Sequence, residues 1–489
     1  MKHLKILFVS SEVRPFAMTG GLGDVSGSLP RFLQMRGHDV RIVMPGYSIT
    51  QSWKYRKTDV PLGVPLGHGD ERWCGVRISS LPGSDVPIFF LEHDSLYGRS
   101  GLYGDSSGEF GDNLLRFSLL SRGSLQLCHY LGWYPDVVHV NDWQTAMVPG
   151  FLNSVEAHSP LGRAASLLTI HNLGYQGRFW SDPFDITGLP WDLFTHLGFE
   201  YFNGINLLKG GIYHSTLINT VSNTYAHEIQ TPEMGEGLDG ILRERGASLY
   251  GILNGIDTNE WDPATDRYLE NHFNADDLRG KSAAKRSLQM ELGLELRDDV
   301  PIISMVTRLA WQKGIDVVAG AIRRIMELDV QFVLVGTGEG WAEHFFGSLN
   351  SEYPGRIRCV IDFNTGLSHR VEAGSDLFLM PSRYEPCGLN QIYSLRYGTL
   401  PIVRATGGLA DTVQNYDEEN GSGTGFKFYD LNEGSLFDVT AWAVNTWRHR
   451  PDHFRAMIKR AMSGDYSWDK AAAQYEELYH RAVWIRARQ

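Results

Sequence analysis

The sequence predicts two doubly wound α/β domains of the Rossmann-like type that face each other across a cleft. Short apolar runs rich in β-branched residues alternate with helix-like segments along most of the chain, which is typical of parallel sheets with crossover helices. At 489 residues the chain exceeds a single hydrophobic core. One glycine turn also occurs twice, at residues 19–24 and at residues 406–411, which indicates two similar halves.

The domain boundaries follow from the places where this alternation is interrupted. A turn at Asn254-Gly255 precedes a polar stretch, so we place the first domain at residues 1–254 and the second at residues 255–464. After about residue 430 the strand pattern ends, and helix-like segments continue to the C-terminus. We expect residues 465–489 to form a helix that packs back on the first domain.

Composition and charge exclude several classes of partner. The formal net charge of −12 argues against nucleic acid or an anionic membrane as the main partner, so an anionic ligand would need local donors. No run of about 18 apolar residues could span a membrane, and the apolar run at residues 4–9 is too short for a signal peptide. The four cysteines are scattered without a C-x-x-C pair, which fits a reducing compartment and no zinc site. We therefore expect a cytoplasmic protein.

Polar and glycine residues follow the apolar runs in both halves. Open α/β sheets bind ligands outside the carboxyl ends of their strands, so these positions are the candidate site residues. The segments that follow the runs are Asn141-Asp142-Trp143, His171-Asn172, Ser222-Asn223, Arg308, Gly336-Thr337-Gly338 and Pro381-Ser382-Arg383.

The repeated turn reads Thr19-Gly20-Gly21-Leu22-Gly23-Asp24 in the first copy and Thr406-Gly407-Gly408-Leu409-Ala410-Asp411 in the second. Glycines let backbone amides approach a ligand closely, and a helix that starts there directs its positive dipole end at an anion. Either copy alone would more often be an ordinary tight turn between a strand and a helix. The repetition favours an anionic ligand held by both halves.

Arg308, Lys313 and Glu385 are the candidates for charge chemistry. Arg308 and Lys313 share one loop after a strand, where a guanidinium and an ammonium suit a diphosphate whose negative charge grows as it departs. Glu385 could bind sugar hydroxyls, stabilise positive charge on a reacting carbon, or cap the following helix. Cys387 has no evident partner base, so we interpret it as a packing residue rather than a nucleophile.

His171 and Asp142 each follow a strand-like run of the first half. An imidazole at such a position can bind a sugar hydroxyl or a phosphate, and Asp142 with Trp143 offers a carboxylate beside a stacking ring. Bracing of the two loops is the structural alternative for both. The sequence motifs of metalloproteases, P-loop ATPases and serine hydrolases are absent, which excludes those reaction classes.

With these residues assembled, the chain closely resembles bacterial glycogen synthases and plant starch synthases that use ADP-glucose, over essentially its whole length. The resemblance rests on Gly20-Gly21-Leu22-Gly23-Asp24, Asn141-Asp142-Trp143, residues 169–177, Leu208-Lys209-Gly210-Gly211, Val221-Ser222, Asn254-Gly255-Ile256-Asp257, Arg308 with Gln312-Lys313-Gly314, residues 381–389 and residues 406–413. Together these motifs are highly specific.

The resemblance implies a glycosyltransferase of the B-type fold that binds its nucleotide in the second domain and its acceptor on the first, without a metal or cofactor. The implied enzyme is a retaining hexosyltransferase. It would move glucose from ADP-glucose to the non-reducing end of an α-1,4-glucan, either glycogen or a malto-oligosaccharide. Retention without an obvious carboxylate nucleophile points to front-face attack, in which the leaving phosphate takes the proton of the acceptor.

The resemblance also implies roles for individual residues. The departing diphosphate would be neutralised by Arg308 and Lys313 and by the amides of Gly20, Gly21, Gly407, Gly408 and Leu409. The transferred glucose would be contacted by Glu385, His171 and Asp142. Phe363 would lie beside the adenine, and Tyr97 resembles a tyrosine that contacts the acceptor. The remaining implied substrate contacts are Asp24, Asn172, Cys387, Gly388, Leu389 and Thr406.

One position departs from the family pattern. Members usually carry lysine immediately before this glycine turn, where this chain has Met18. Losing a buried charged hydrogen bond costs roughly 2–3 kcal/mol, about a hundredfold in rate or affinity, if nothing compensates. Arg14 and Arg178 are the candidate replacement cations. Two alternatives therefore stay open: a glucosyltransferase of the same fold that prefers UDP-glucose, and a catalytically weak glucan-binding scaffold.

Overall fold

Each half of the chain forms its own β-sheet, which is largely parallel in the first half and parallel throughout in the second. The computed structural model describes residues 2–180 and 183–489, and the chain divides into a first unit of Met1–Asn254 with Trp468–Gln489 and a second unit of Gly255–Ser467. The second division therefore falls at 467/468 rather than at the predicted 464/465. The reason is local, because the amide of Ile256 still donates to the carbonyl of Tyr466 within the second unit.

The strands and helices of the first unit come before residue 255, apart from one helix at the C-terminus. Its strands are β1 (Lys5–Val9), β2 (Asp39–Pro45), β3 (Arg56–Lys57), β4 (Leu62–Pro65), β5 (Glu71–Ser80), β6 (Pro87–Glu92), β7 (Gly104–Asp105), β8 (Gly108–Glu109), β9 (Val137–Asn141), β10 (Ala165–Ile170), β11 (Arg178–Phe179), β12 (Glu200–Tyr201), β13 (Gly204–Asn206), β14 (Leu217–Thr220) and β15 (Leu249–Gly251). Its first seven helices are α1 (Gly21–Met35), α2 (Asp94–Tyr97), α3 (Asn113–Leu131), α4 (Val148–Asn153), α5 (Leu207–His214), α6 (Asn223–Glu228) and α7 (Asp239–Glu244).

The second unit alternates strands and helices more regularly. Its strands are β16 (Ile302–Val306), β17 (Gln331–Val335), β18 (Ile357–Val360), β19 (Leu377–Met380), β20 (Leu400–Arg404) and β21 (Phe426–Phe428). Its helices are α8 (Arg279–Leu292), α9 (Ile315–Met326), α10 (Gly340–Glu352), α11 (Thr365–Gly374), α12 (Asn390–Arg396), α13 (Gly407–Thr412), α14 (Glu433–His449) and α15 (Pro451–Met462). The final helix, α16 (Trp468–Arg486), returns to the first unit.

The main sheet of the first unit changes direction at its first strand. The strand order is β15-β14-β10-β9-β1-β2-β6-β5-β3, and β1 pairs in parallel with β2 on one side and with β9 on the other. Strands β9 and β10 are buried along their whole length, as expected for parallel strands covered on both faces. The chain builds outward through β2 and β6 before it returns to β9, so the β1–β9 pair is the topological switch point.

The sheet of the second unit repeats this plan with parallel strands throughout. Its order is β18-β17-β16-β19-β20-β21, and β16 lies between β17 and β19. Here the switch point is the β16–β19 pair. The doubly wound α/β class predicted from the sequence is therefore confirmed in each unit. Within the described ranges, no helix is both long enough and apolar enough to cross a bilayer.

Helix α16 completes the hydrophobic core of the first unit. Its inward face contributes Ala472, Tyr475 and Tyr479 to the cluster that contains the central strands. On its polar side, Glu476 accepts a hydrogen bond at 2.8 Å from Arg36, the residue that directly follows α1. The last helix of the chain is thus a structural part of the sheet layer that begins at residue 5.

A buried chain of hydrogen bonds joins α16 to three strands. Asn219 donates to the Tyr475 hydroxyl and accepts from Thr169, so the Thr169 hydroxyl can only accept from His139. His139 is therefore protonated on Nε2, and its Nδ1 accepts from the Tyr479 hydroxyl at 2.8 Å. Complete burial lowers the pKa of His139 well below its ordinary value, which agrees with this neutral ring.

This chain of hydrogen bonds gives a stability prediction for Tyr479→Phe. The substitution leaves Nδ1 of the buried His139 without a donor, which should lower the free energy of unfolding by about 1–3 kcal/mol. Urea unfolding followed by tryptophan fluorescence measures the change. The matched control is Tyr130→Phe at an exposed position, which should leave the transition unchanged. An unchanged Tyr479→Phe transition would contradict the proton arrangement.

Candidate active site

The first glycine turn lies at the carboxyl end of β1, beside the switch point of the first unit. Helix α1 starts at Gly21, with Gly20 as the residue before its first turn. A Cβ atom added at Gly20 or Gly21 would meet no other atom within 4 Å, so these two positions border open space. The first amides of a helix have no partner within the helix and carry its positive dipole end. These amides suit an anion, and anion binding at this turn stays a prediction.

A buried carboxylate that sequence reasoning missed holds this turn in place. Glu12 is buried and accepts hydrogen bonds from the amide of Thr19 at 2.6 Å, from its hydroxyl at 2.7 Å and from the Tyr103 hydroxyl at 2.6 Å. Its second oxygen also accepts a longer bond, of 3.3 Å, from the amide of Gly20. Glu12 therefore uses the amide of Gly20, one of the donors that the sequence analysis assigned to an anion. The amides of the first turn of α1 remain as candidate donors to an anion.

Asp142 and His171 lie at the carboxyl ends of the adjacent strands β9 and β10. The Asp142 carboxylate accepts from the amide of His171 at 2.7 Å, and the amide of Asp142 donates to Thr169 at 2.9 Å. The backbone of Asp142 has φ 55° and ψ −173°, a region that costs a non-glycine residue about 1–3 kcal/mol. Such strain is typical of functional sites, where the surrounding structure maintains it.

The protonation of this pair follows from its burial. Burial raises the pKa of the Asp142 carboxyl to about 7, against the opposing effect of the amides of His171 and Asn172. Burial also lowers the pKa of His171 to about 3, so its ring is neutral near pH 7. The Asn141 amide group donates to Val9, which leaves its oxygen to accept from Nε2 of His171 at 3.0 Å. Nδ1 of His171 is then an acceptor for a ligand hydroxyl.

The other predicted residues of the first unit have different surroundings. Asp24 forms an ion pair of 3.2 Å with Arg14. Asn172 caps its own loop by accepting from the amide of Gly174. Tyr97 is fully buried, and its hydroxyl donates to the carbonyl of Arg116 at 2.5 Å. This burial contradicts direct contact between Tyr97 and an acceptor.

Met18 is 42% exposed and lies against the first turn of α1, since a Cβ atom added at Gly23 would be 2.5 Å from that of Met18. The two candidate replacement cations are engaged elsewhere. Arg14 pairs with Asp24, and Arg178 donates to Gln176 and to the carbonyl of Glu236. The described structure therefore offers no evident substitute for a lysine at position 18.

In the second unit, the carboxyl ends of the strands surround a cavity of about 320 Å³. It opens beside the β16–β19 switch point and is lined by six predicted site residues. These six are Arg308, Lys313, Phe363, Glu385, Gly388 and Leu389, and Ser382 also lines the cavity. The remaining wall comes from strands β16, β17 and β19 and from helices α11 and α12.

Lys313 and Glu385 form an ion pair inside this cavity. The ammonium lies 2.6 Å from Oε2 of Glu385, which also accepts from the Ser382 hydroxyl at 2.9 Å. Glu385 is buried, so these two partners replace the water that would otherwise stabilise its carboxylate. The side chain of Arg308 is exposed and makes one long contact of 3.4 Å to Gln312, which leaves its fork available to an anion.

Backbone contacts keep the two loops that carry these residues together. The amide of Arg383 donates to the carbonyl of Gln312 at 2.8 Å, and the Gln312 side chain donates to the carbonyl of Tyr384. Arg383 also pairs with Asp316 and covers the ring of Trp311 at 4.3 Å. The loop after β16 and the loop after β19 thus form one support for the cations and for Glu385.

The second glycine turn does not play the role that the sequence predicted. The amide of Gly408 donates to the carbonyls of Glu385 and Pro386, and the amide of Leu409 donates to Thr406. A Cβ atom at Gly407 would lie 2.0 Å from the oxygen of Glu385, and one at Gly408 would lie 1.9 Å from that of Cys387. Residues 406–409 are absent from the described lining of the cavity. These glycines let the turn pack against the Glu385 loop, so their amides are used within the protein.

Two further predictions concern single side chains. Phe363 is 81% exposed at the edge of the cavity, where its ring is available for stacking. Cys387 is buried beneath the Glu385 loop, and its carbonyl accepts from Gln391. The missed residue Glu12 comes three residues after the end of β1, so the strand-end rule that pointed to the segment with Ser382 could also have found it.

Comparisons with known proteins agree with this geometry. The starch synthase catalytic domain family matches residues 5–244, and the glycosyl transferases group 1 family matches residues 293–460. Glycogen synthase 1 of Geobacter metallireducens is 51% identical over 486 residues, which covers 99% of this chain and 97% of the relative. The chain belongs to the family of glycogen and starch synthases.

Other members of this family match over similar lengths. Glycogen synthase of Treponema denticola is 44% identical, with 98% of this chain and 99% of the relative covered. Among solved structures, the catalytic domain of starch synthase IV from Arabidopsis thaliana, bound to ADP and acarbose, matches with a TM-score of 0.90 and 35% identity. That match covers 99% of this chain and 100% of the other. Sucrose-phosphate synthase from Thermosynechococcus elongatus, at 17% identity and a TM-score of 0.57, shares the fold.

The pKa of Asp142 predicts a pH-dependent stability in this glycogen and starch synthase family member. Between the unfolded value near 4 and the folded value of about 7, the folded state binds one more proton, so stability falls as pH rises. Asp142→Asn removes this pH dependence, because the amide does not titrate. The difference in free energy of unfolding, variant minus parent chain, should therefore be larger at pH 8 than at pH 5 by roughly 2–3 kcal/mol, at about 1.4 kcal/mol per pKa unit.

Urea unfolding of both proteins at the two pH values measures this difference. Asp59→Asn is the control, because that side chain is exposed and its substitution should produce little pH dependence. An equal effect of Asp142→Asn at both pH values would mean that the Asp142 carboxyl is already ionised at pH 5 in the folded protein.

Proposed function

We propose that this protein is a glycogen synthase that transfers glucose from ADP-glucose to the non-reducing end of an α-1,4-glucan with retention at the anomeric carbon. The observation that carries this proposal is the cavity of the second unit, where Arg308 and Lys313 flank Glu385 beside a topological switch point. The binding of ADP and acarbose by the related starch synthase IV supports both the nucleotide and the glucan analogue as ligand classes.

In this proposal the second unit binds the donor. The exposed fork of Arg308 and the two N–H donors of Lys313 that face no described partner bind the diphosphate. Phe363 stacks on the adenine, and the Glu385 loop with Gly388 and Leu389 borders the sugar and phosphates. From the first unit, the amides that begin α1 add positive potential for the same leaving group. The amides of Gly408 and Leu409 are left out of this assignment because the first donates to the Glu385 loop and the second to Thr406.

The transferred glucose receives its polar contacts from neutral or compensated groups. His171 offers Nδ1 as an acceptor. The buried carboxyl group of Asp142 accepts a hydrogen bond from the backbone amide of His171. Glu385 accepts from Lys313 and Ser382, so its charge is compensated before a donor binds. Such a carboxylate can orient hydroxyls and stabilise positive charge on the reacting carbon.

The same contacts favour front-face attack over a covalent intermediate. A carboxylate nucleophile needs electron density on the attacking oxygen, whereas the Glu385 carboxylate is paired through Oε2 with an ammonium at 2.6 Å and a hydroxyl at 2.9 Å, which lowers its nucleophilicity. In front-face attack the acceptor hydroxyl bonds to the anomeric carbon as the phosphate oxygen leaves, and that oxygen takes the hydroxyl proton. Trapping of a glucosyl group on Glu385 would contradict this mechanism.

The choice of donor is tested by transfer of labelled glucose from ADP-glucose and from UDP-glucose to glycogen, measured in parallel. We expect kcat/KM to be at least about tenfold higher for ADP-glucose, which corresponds to about 1.4 kcal/mol of transition-state preference. Lys313→Gln should lower either rate by about a hundredfold or more, since it removes charge from the leaving diphosphate. A preference for UDP-glucose would favour the alternative glucosyltransferase of the same fold. Absence of transfer with retained glycogen binding would favour the scaffold, which Met18 supports.

The effect of Met18 is tested by restoring the family lysine. Met18→Lys should raise kcat/KM for ADP-glucose by about tenfold, because an ammonium beside the first turn of α1 adds a charged hydrogen bond to the leaving group. Met35→Lys adds the same charge at the other end of α1, where the side chain is 70% exposed, and should leave kcat/KM unchanged. Equal effects of the two variants would indicate a general charge effect rather than a contact at position 18.

A further inference from the structure

A buried carboxyl group that the proposed reaction does not use lines the donor cavity. Glu372 is 2% exposed, lies in the last part of α11 and forms part of the cavity wall. Thr365 and Ser368 precede it by seven and four residues on the same helix and line the same cavity. Spacings of three and four residues bring side chains onto one face of a helix, so α11 presents a polar stripe to the cavity.

The carboxyl group of Glu372 has no protein partner on its Oε2 atom among the described residues. The nearby ammonium of Lys281 is already bonded to the carbonyls of Ala373 and Tyr397 and to the Thr399 hydroxyl. A buried polar atom without a hydrogen bond destabilises a protein, because the desolvation of that atom is not compensated. Burial accordingly raises the pKa of Glu372 well above its ordinary value.

Aromatic side chains make this part of the cavity rigid. The ring of Trp261 is stacked on Tyr393 at 3.6 Å and on His369 at 3.8 Å, and His369 is bonded to Asp266 at 2.7 Å. Trp261 and Tyr393 line the cavity together with Glu372. The carboxyl group therefore lies beside a closely packed aromatic wall, in which none of the described contacts supplies Oε2 of Glu372 with a partner.

We propose that Glu372 binds the vicinal 2′- and 3′-hydroxyls of the ribose of the donor nucleotide. This inference rests on the proposed function, because it takes a nucleoside diphosphate as the occupant of the cavity. In such a ligand the ribose lies between the diphosphate and the base. Arg308 and Lys313 bind the former, and Phe363 is assigned to the latter. A carboxyl group offers two oxygens to two adjacent hydroxyls, and each hydroxyl can donate or accept, so the pairing is possible in either protonation state.

Glu372→Met tests the contact with a side chain of similar length and no polar atom. Calorimetric titration with ADP, 2′-deoxy-ADP and 3′-deoxy-ADP measures binding without glucan or turnover. The parent chain should bind at least one deoxy nucleotide about tenfold more weakly than ADP. Glu372→Met should bind ADP about tenfold more weakly than the parent chain does, and should distinguish ADP from the deoxy nucleotides by about twofold or less.

Thermal unfolding without nucleotide separates a binding role from a structural one. Removing an unpartnered buried carboxyl group should raise the Tm of Glu372→Met by about 2–4 °C, whereas a structural residue would lower it. Glu291→Met is the matched control, since that carboxylate pairs with Arg370 on the surface of the same unit. Glu291→Met should leave the nucleotide affinities unchanged and should not raise the Tm.

Three results would overturn the inference. They are a Glu372→Met variant that keeps the discrimination of the parent chain against deoxy nucleotides, a variant with a lowered Tm, and a variant that loses only the discrimination between ADP and inosine diphosphate. The last result would assign Glu372 to the base. If the parent chain binds UDP and not ADP, the same comparison is made with UDP, because the ribose is common to both. Failure to bind either nucleotide would instead overturn the nucleotide-sugar proposal.

Discussion

The candidate site residues of this protein depend on one constraint, the reversal of strand order in a parallel sheet. Where the chain builds outward from a central strand and then returns to its other side, the loops after the two central strands diverge and leave a space. In the first unit these strands are β1 and β9, followed by the glycine turn and by Asp142. In the second unit they are β16 and β19, followed by Arg308 and by Glu385. The chemistry is assembled from residues distant in sequence because the sheet brings their loops to one edge.

The two glycine turns show how one sequence pattern serves two physical needs. The first copy borders open space at the start of a fifteen-residue helix, and a buried carboxylate, Glu12, fixes its shape. The second copy is pressed against the carbonyls of residues 385–387 and begins a helix of six residues. In the first case glycine leaves space that the proposed function gives to a ligand, and in the second it permits the approach of the protein's own backbone. The surrounding packing decides which of the two applies.

This difference marks the limit of prediction from the sequence. The strands and the residues that follow them were predictable, because runs such as residues 302–306 are apolar throughout and end at polar residues. The contacts and burial of individual side chains were not predictable in the same way. Glu12 is held by a tyrosine 91 positions away, and Tyr97 is withdrawn into the core by a bond to Arg116. The final helix was expected on the first domain, but a backbone bond between Ile256 and Tyr466 keeps the residues just before its start at Trp468 with the second unit. Such features depend on tertiary contacts that local patterns do not contain.

The buried carboxyl groups differ in how completely the protein satisfies their hydrogen bonds. Glu12 receives several hydrogen bonds and stabilises the turn that it holds. Glu385 is compensated by an ammonium and a hydroxyl, yet it borders the cavity and can exchange part of that pairing for a ligand. Asp142 and Glu372 are less well satisfied, and burial raises the pKa of both carboxyl groups. A fold that only needed to be stable would replace these two by apolar residues. In the proposed function, sugar and nucleotide hydroxyls would donate to or accept from these two carboxyl groups, and binding would then recover part of the stability that their burial costs.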